Sequence, residues 1–236
     1  PEGIEQIHAP AVPVRVLSMN DPTLHLGLLN PDRCYIRTAV WVEGLTDFLA
    51  SLGHFRWNSE IRCLTFPVST VHIERLKARY GERLVIDPSL SLLELCREIR
   101  IRQMSMHTLD AYFTYNSDLL RFAKKYPHQL NDGDLRNFIE HLSVAKKCAP
   151  ATVNLAIDAI KFFLVEVRKM QIYLSPRPRK GIRLPLVLST EEVIRIFEVT
   201  KNIKHKAMLM TAYSAGLRVS ETANLRIPDI DFDRKL

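Results

Sequence analysis

The amino-acid sequence predicts a mainly α protein whose N-terminal module is α+β. Three observations point there. Short β-like runs are confined to residues 1–95, amphipathic helical stripes dominate from Thr108 onward, and a basic, proline-rich stretch from Tyr173 to Leu188 separates two helical regions. At 236 residues with 47% apolar content and no long low-complexity tract, the chain is long enough for a substantial core and for one to two domains.

In chain order, Val12–Leu17 and Thr23–Leu29 read as strands around an Asn20-Asp21-Pro22 turn. Residues 42–52 read as a helix with Leu45, Phe48, Leu49 and Leu52 on one face, and 54–66 as a hairpin turning at Asn58-Ser59. Val71–Tyr80 returns as a helix and Leu84–Ile86 as a last strand. Trp57 with Arg56 and Arg62 offers a clasp for nucleic acid, but a hairpin tryptophan is more often core, and we expect Trp57 to be packed.

Residues 88–102 form a connector, helical over 90–99. Three amphipathic helices then occupy 103–172. The first spans Thr108–Lys125 and buries Leu109, Tyr112, Phe113, Leu120 and Ala123. The second starts at a cap on Asn131 or Asp132 and buries Leu135, Phe138, Ile139 and Leu142. In the third, Ala151–Met170, an apolar stripe of Val153, Ala156, Ile157, Ile160, Phe163, Leu164 and Val167 opposes a polar one of Asn154, Asp158, Lys161 and Arg168. Residues 173–188, with Pro176, Pro178 and Pro185 among four cations, read as an extended linker. Ser189 and Glu192 then form a capping box for a helix over 191–199.

Composition excludes several classes. No apolar run approaches the roughly 18–20 residues that span a bilayer, and the first residues are acidic rather than a basic signal-peptide start, so we expect a cytoplasmic protein. The four cysteines, at 34, 63, 96 and 148, form no C-x-x-C pair and share no ligand spacing with the eight histidines, so no metal site is expected. No glycine-rich phosphate loop exists, so nucleotide binding has no support either. The formal charge of +7 is concentrated: between residues 161 and 183 stand Lys161, Arg168, Lys169, Arg177, Arg179, Lys180 and Arg183 against the single acid Glu166. Such a stripe on a helix and its linker is a polyanion footprint, where an ordinary solvated charge run is the competing reading.

The most informative segment is Thr211–Asp233. An apolar helix, Ala207–Ala215, is closed by Gly216, where a left-handed cap suits glycine. Arg218 follows at the head of a second helix, Val219–Leu225, and Pro228-Asp229 turns the chain toward a strand. A guanidinium beside unpaired helix N–H groups makes a phosphate clamp, and a surface arginine after a helix turn is the plainer alternative.

The run Ala215-Gly-Leu-Arg-Val-Ser-Glu-Thr-Ala-Asn-Leu225, with Asp229-Ile-Asp-Phe-Asp233 after it, closely resembles the first catalytic box of the tyrosine recombinases, the phage-integrase family, and most of all bacterial and integron-type integrases. The resemblance extends over residues 105–236. Thr108-Leu-Asp-Ala-Tyr112 and Ala149-Pro-Ala-Thr-Val-Asn154 resemble that family's SAM-like core-binding bundle, and Leu184–Glu192 resembles the entry to its catalytic domain. Residues 1–95 match in position the accessory N-terminal domains of many integrases.

The resemblance implies DNA strand cleavage and rejoining through a 3′-phosphotyrosyl intermediate without metal or nucleotide, on double-stranded DNA, by tetramers on paired sites. It implies a catalytic role for Arg218, with Glu221 supporting it. DNA contacts are expected from Lys146, Lys147, Thr152, Asn154, Lys161, Arg168, Arg177, Arg179, Lys180 and Arg183. The family's later boxes, including the nucleophilic tyrosine, lie beyond Asp-Phe-Asp, so we expect 189–236 to be the first part of a catalytic domain, inactive by itself. None of the seven tyrosines has the nucleophile's context: Tyr173 is in the linker, and Tyr213 is expected to be packed. The competing functional class is a non-catalytic DNA-binding protein that occupies recombination sites or modulates a complete integrase.

Overall fold

The computed structural model describes residues 23–40, 42–173, 177 and 187–230. The strand expected at 12–17 and its turn lie outside the described residues. Two compact units, residues 1–180 and 181–236, divide the chain.

The first unit opens with β1 (Leu24–Asn30) and β2 (Arg33–Thr38), an antiparallel hairpin closed by Pro31-Asp32, with Asn30 Oδ1 accepting from the Asp32 N–H at 3.0 Å. The partner of β1 is thus β2, which the sequence reading passed over. Next come α1 (Leu45–Leu52), β3 (Arg56–Asn58), β4 (Cys63–Pro67), α2 (Thr70–Tyr80) and β5 (Leu84–Ile86). The sheet runs β3-β4-β2-β1-β5, antiparallel except where β5 lies parallel to β1. Leu24, Leu26, Leu28, Cys34, Ile36 and Phe66 alternate onto one buried face, packed with Leu49, Ile73 and Leu76 of the two helices. On the opposite face Tyr35 lies across Gly27, where an added Cβ would meet the ring at 2.5 Å. Only glycine fits there.

The hairpin of β3 and β4 corrects two expectations. Its turn is longer than Asn58-Ser59: Asn58 Oδ1 accepts from the N–H groups of Glu60 and Ile61, and Arg62 takes a positive φ of 49°. Trp57 is 61% exposed rather than core, because β3 is a three-residue strand at the edge of the sheet.

A 3₁₀ turn at Pro88–Ser91 leads into α3 (Leu92–Ile101), followed by α4 (Met106–Ala123), α5 (Asp132–Glu140) and α6 (Pro150–Lys161). The caps are local and legible. Ser105 Oγ accepts from the Thr108 N–H, and Asn131, not Asp132, caps α5 in a reciprocal box with Asp134. The helix expected to run unbroken to Met170 is α-helical only to Lys161 and then widens into a π turn over Phe162–Val167. In that π turn Phe162, Phe163 and Leu164 are buried together. Asn116, fully buried on α4, donates to the Tyr112 carbonyl and, across the interface, to the Ala159 carbonyl of α6 at 3.0 Å.

One hydrophobic cluster runs from Leu24 through Leu164, and Leu92, Leu95, Cys96 and Ile99 of α3 sit inside it. The boundary expected at residue 95 therefore falls within α3. The three thiols buried here are inert by environment: burial pushes Cys34 and Cys96 up to about 12 and Cys63 to about 11.

In the second unit, α7 (Thr190–Val199), α8 (Ile203–Ala215) and α9 (Val219–Asn224) follow in order. The Ser189–Glu192 capping box forms as expected, at 3.3 and 2.8 Å. The α8 helix begins four residues before the expected Ala207, because Asn202 Oδ1 caps it through the N–H groups of Lys204 and His205. No helix among the described residues is long and apolar enough to cross a membrane.

Because α3 shares its core with both the sheet and the bundle, Leu95→Ala should cost about 2–5 kcal/mol. Calorimetry should show the sheet and bundle melting in one transition shifted downward as a whole. Two transitions, only one of them shifted, would contradict the shared core.

Candidate nucleic-acid interface and phosphate-binding arginine

Arg218 owes its placement to the residues around it. Gly216 closes α8 in the left-handed region, at φ 64° and ψ 27°, and its N–H returns to the Ala212 carbonyl. Two residues on, Arg218 has extended backbone angles and stands as the N-cap of α9. Its N–H donates to Glu221 Oε2 at 2.7 Å, and its Nη1 donates to Glu221 Oε1 at 3.0 Å. Thr222, buried one turn along, donates its hydroxyl to the Arg218 carbonyl. Glu221 thus holds the residue at both backbone and guanidinium. The side chain stays 82% exposed, with one of its five donors engaged by this carboxylate. Such a group can grip a phosphate oxygen while its base is pinned.

Tyr213, expected to be packed, is 58% exposed and meets Phe197 edge to face at 6.0 Å. Among the described residues of this unit, Val193 and Thr222 are the buried ones. The α8 helix mixes Lys204, His205 and Lys206 with its apolar residues and buries none of them, so it offers no single inward face.

On the bundle, Asn154, Asp158 and Lys161 recur at helical spacing along α6, and Thr152 lies half-buried near its start. Lys146 and Lys147 are exposed just before α6. Arg177 reaches back to this face and pairs with Asp158 at 2.5 Å. Arg168 turns the other way: it pairs with Glu94 of α3 at 2.6 Å. Beside it Arg102 bridges Glu98 and Glu166, both at 2.8 Å, with its guanidinium 4.9 Å from the centre of the Phe162 ring. The structure therefore brings Asn154, Lys161 and Arg177 onto one face and ties Arg168 to α3. Arg179, Lys180 and Arg183 lie outside the described residues. The acids Glu94 and Asp158 went unread as partners, since a net-charge count ignores which acid folds against which base.

The Glu221 carboxyl is held below its ordinary value, first by the Arg218 N–H and then by the Arg218 guanidinium. A carboxyl depressed in the folded state contributes stability above its unfolded pKa and loses it as pH falls through the folded value. The cap on α9 should therefore persist at neutral pH and loosen only below the usual glutamate range. Carbon-detected NMR titration of Glu221 should give a midpoint under that of an exposed glutamate. A midpoint at the ordinary value would mean the box is open in solution.

Comparison with known proteins bears on both regions. Residues 92–172 match the family described as phage integrase, N-terminal SAM-like domain, and residues 187–236 match the phage integrase family. An integrase/recombinase of Sinorhizobium fredii is 33% identical over 156 residues, covering 65% of this chain and 50% of its own length. The tyrosine recombinase XerC of Xanthomonas campestris is 30% identical over 167 residues, covering 64% of this chain and 49% of its own. Among solved structures, a crystal structure of XerA recombinase aligns at 25% identity and a TM-score of 0.36, covering 62% of this chain and 53% of that one. The chain spans about half the length of the curated relatives it matches. The two matched regions together take in more than half of the sequence. The chain belongs to the phage-integrase family of tyrosine recombinases.

Proposed function

We propose that this chain is the DNA-gripping and first catalytic portion of a site-specific tyrosine recombinase. In this reading the bundle and linker hold duplex DNA, and Arg218 engages the scissile phosphate. The observation that carries it is Arg218 itself: an arginine within the stretch that matches the phage integrase family, held from behind by Glu221, that projects an exposed guanidinium. Cleavage and rejoining pass through a 3′-phosphotyrosyl intermediate whose tyrosine comes from catalytic boxes outside residues 1–236. Negative charge builds on the non-bridging phosphate oxygens as the phosphorus is attacked, so a fixed cationic donor stabilises the transition state more than the ground state. Tetramers on paired sites and a cytoplasmic, nucleoid-associated setting belong to the same proposal.

DNA contacts fall to Lys146, Lys147, Thr152, Asn154, Lys161, Arg168, Arg177, Arg179, Lys180 and Arg183. Arg168 and Arg177 would exchange their carboxylate partners for phosphate on binding. Counterion release makes affinity fall about tenfold or more across a few-fold rise in salt. Fluorescence anisotropy with a mixed-sequence duplex should show that slope, and Lys161→Ala should weaken binding equally on all sequences. Asn154→Ala should also relax sequence preference. A flat salt dependence would remove the DNA assignment.

In a chain carrying the complete set of catalytic boxes, Arg218→Ala should lower the cleavage rate by about two to three orders of magnitude, or about 3–4 kcal/mol, with DNA affinity within a few-fold of the parent. Arg218→Lys should recover little, because an ammonium lacks the bidentate fork. Normal cleavage by Arg218→Ala, or joint loss of folding and binding, would make Arg218 a structural residue.

A further inference from the structure

The helix ends of this protein follow two different rules. Outside the bundle, α1, α2 and α8 end on glycines at positive φ: Gly53, Gly81 and Gly216. Inside it the residues at positive φ are Gln103, Lys124, Lys147 and Lys169, at φ 51°, 53°, 50° and 57°. A left-handed lysine crowds its Cβ against the following carbonyl, a cost that glycine does not carry.

Two of these ends repeat one another. After α5 the chain makes a π turn over His141–Ala145, then Lys146, the left-handed Lys147 and Cys148. After α6 it makes a π turn over Phe162–Val167, then Arg168, the left-handed Lys169 and Met170. The hydrogen bonds correspond: Lys146 N–H to the His141 carbonyl and Cys148 N–H to Leu142, then Arg168 N–H to Phe163 and Met170 N–H to Leu164, all at 2.9 Å. Each end therefore presents two successive cations, the second in a strained backbone and exposed. Lys124 differs. It follows α4 without a π turn, and the residue before it is Ala123.

A cation near a helix C-terminus gains from the macrodipole, but for an exposed ammonium that gain is small and screened by salt. Strain kept at two matching positions where glycine would serve calls for a use of the side chain. We propose that Lys147 and Lys169 are retained in the left-handed conformation as paired phosphate contacts on duplex DNA, set by the twin π-turn ends of α5 and α6. This rests on the DNA-binding reading above and extends it to Lys169.

The test pairs stability with affinity. Lys147→Gly and Lys169→Gly, with Lys147→Asn and Lys169→Asn as alternatives that tolerate the same backbone without the charge, are compared with the parent by thermal melting and by anisotropy on a mixed-sequence duplex. Each variant should melt at or above the parent temperature yet bind about two- to five-fold more weakly, with a log–log salt slope shallower by about 0.9. Unchanged affinity and slope in variants of a parent that binds DNA would overturn the inference alone, as would a lowered melting temperature in both the Gly and Asn forms, which would make the lysines structural caps. A parent with no salt-dependent binding would overturn the DNA reading and this inference with it.

Discussion

The first unit depends on the burial of α3. Leu92, Leu95, Cys96 and Ile99 are at most 1% exposed and belong to the cluster that holds both the sheet and the bundle. At about 25 cal/mol per Å² of apolar surface removed from water, four such side chains outweigh any single polar contact in the unit. The same helix turns its polar side to the π turn that follows α6, where Glu94 meets Arg168 and Arg102 meets Glu166. Packing thus decides that α3 belongs to the bundle, and the ion pairs orient its exposed face. Exposed pairs of this kind are worth little singly, so they refine an arrangement that the core has already chosen.

That arrangement changes the meaning of the charge pattern. A stripe counted as a net +6 along the sequence becomes, in the fold, two populations of cation. Arg168 and Arg177 are matched to acids, whereas Lys161 and Lys169 stand exposed, as do Lys146 and Lys147 just before α6. A polyanion that meets this surface encounters the exposed lysines first and competes with Glu94 and Asp158 for the arginines. Arg218 obeys the opposite logic. Its acid partner is three residues away, in the same capping box, and supports the guanidinium from the backbone side. Local geometry made that site readable, while the bundle's electrostatics depend on contacts between residues as many as 74 positions apart.

Much of the fold was legible for the same reason. The strand at Leu84–Ile86, the capping boxes at Ser189 and Asn131, the left-handed Gly216 and the apolar stripe of α6 all follow from signals within a few residues. Misses arose where tertiary context decided the outcome. The β2 strand mixes Arg33 and Arg37 with Cys34, Tyr35 and Ile36, and is stabilised by pairing on both edges rather than by its own pattern. Trp57 is exposed because its strand is at the sheet edge, and a residue count cannot reveal an edge. The π turns leave the 3.6-residue period nearly intact over one turn, so periodicity read the α6 region as one straight helix. At the candidate site, the motif pointed to Arg218 and Glu221, which the fold joins, but Glu94, Asp158 and the strained lysines emerged only from the fold.

On the proposed reading, duplex DNA lies on the α6 face of the bundle. Amide chemical-shift mapping of the whole chain, titrated with a mixed-sequence duplex at low salt, tests it most directly. Perturbations should concentrate on residues 146–169, with shifts also at Glu94 as Arg168 changes partner, and should fade together as salt rises. Perturbations gathered instead around Trp57 and the sheet edge, with residues 146–169 silent, would contradict it.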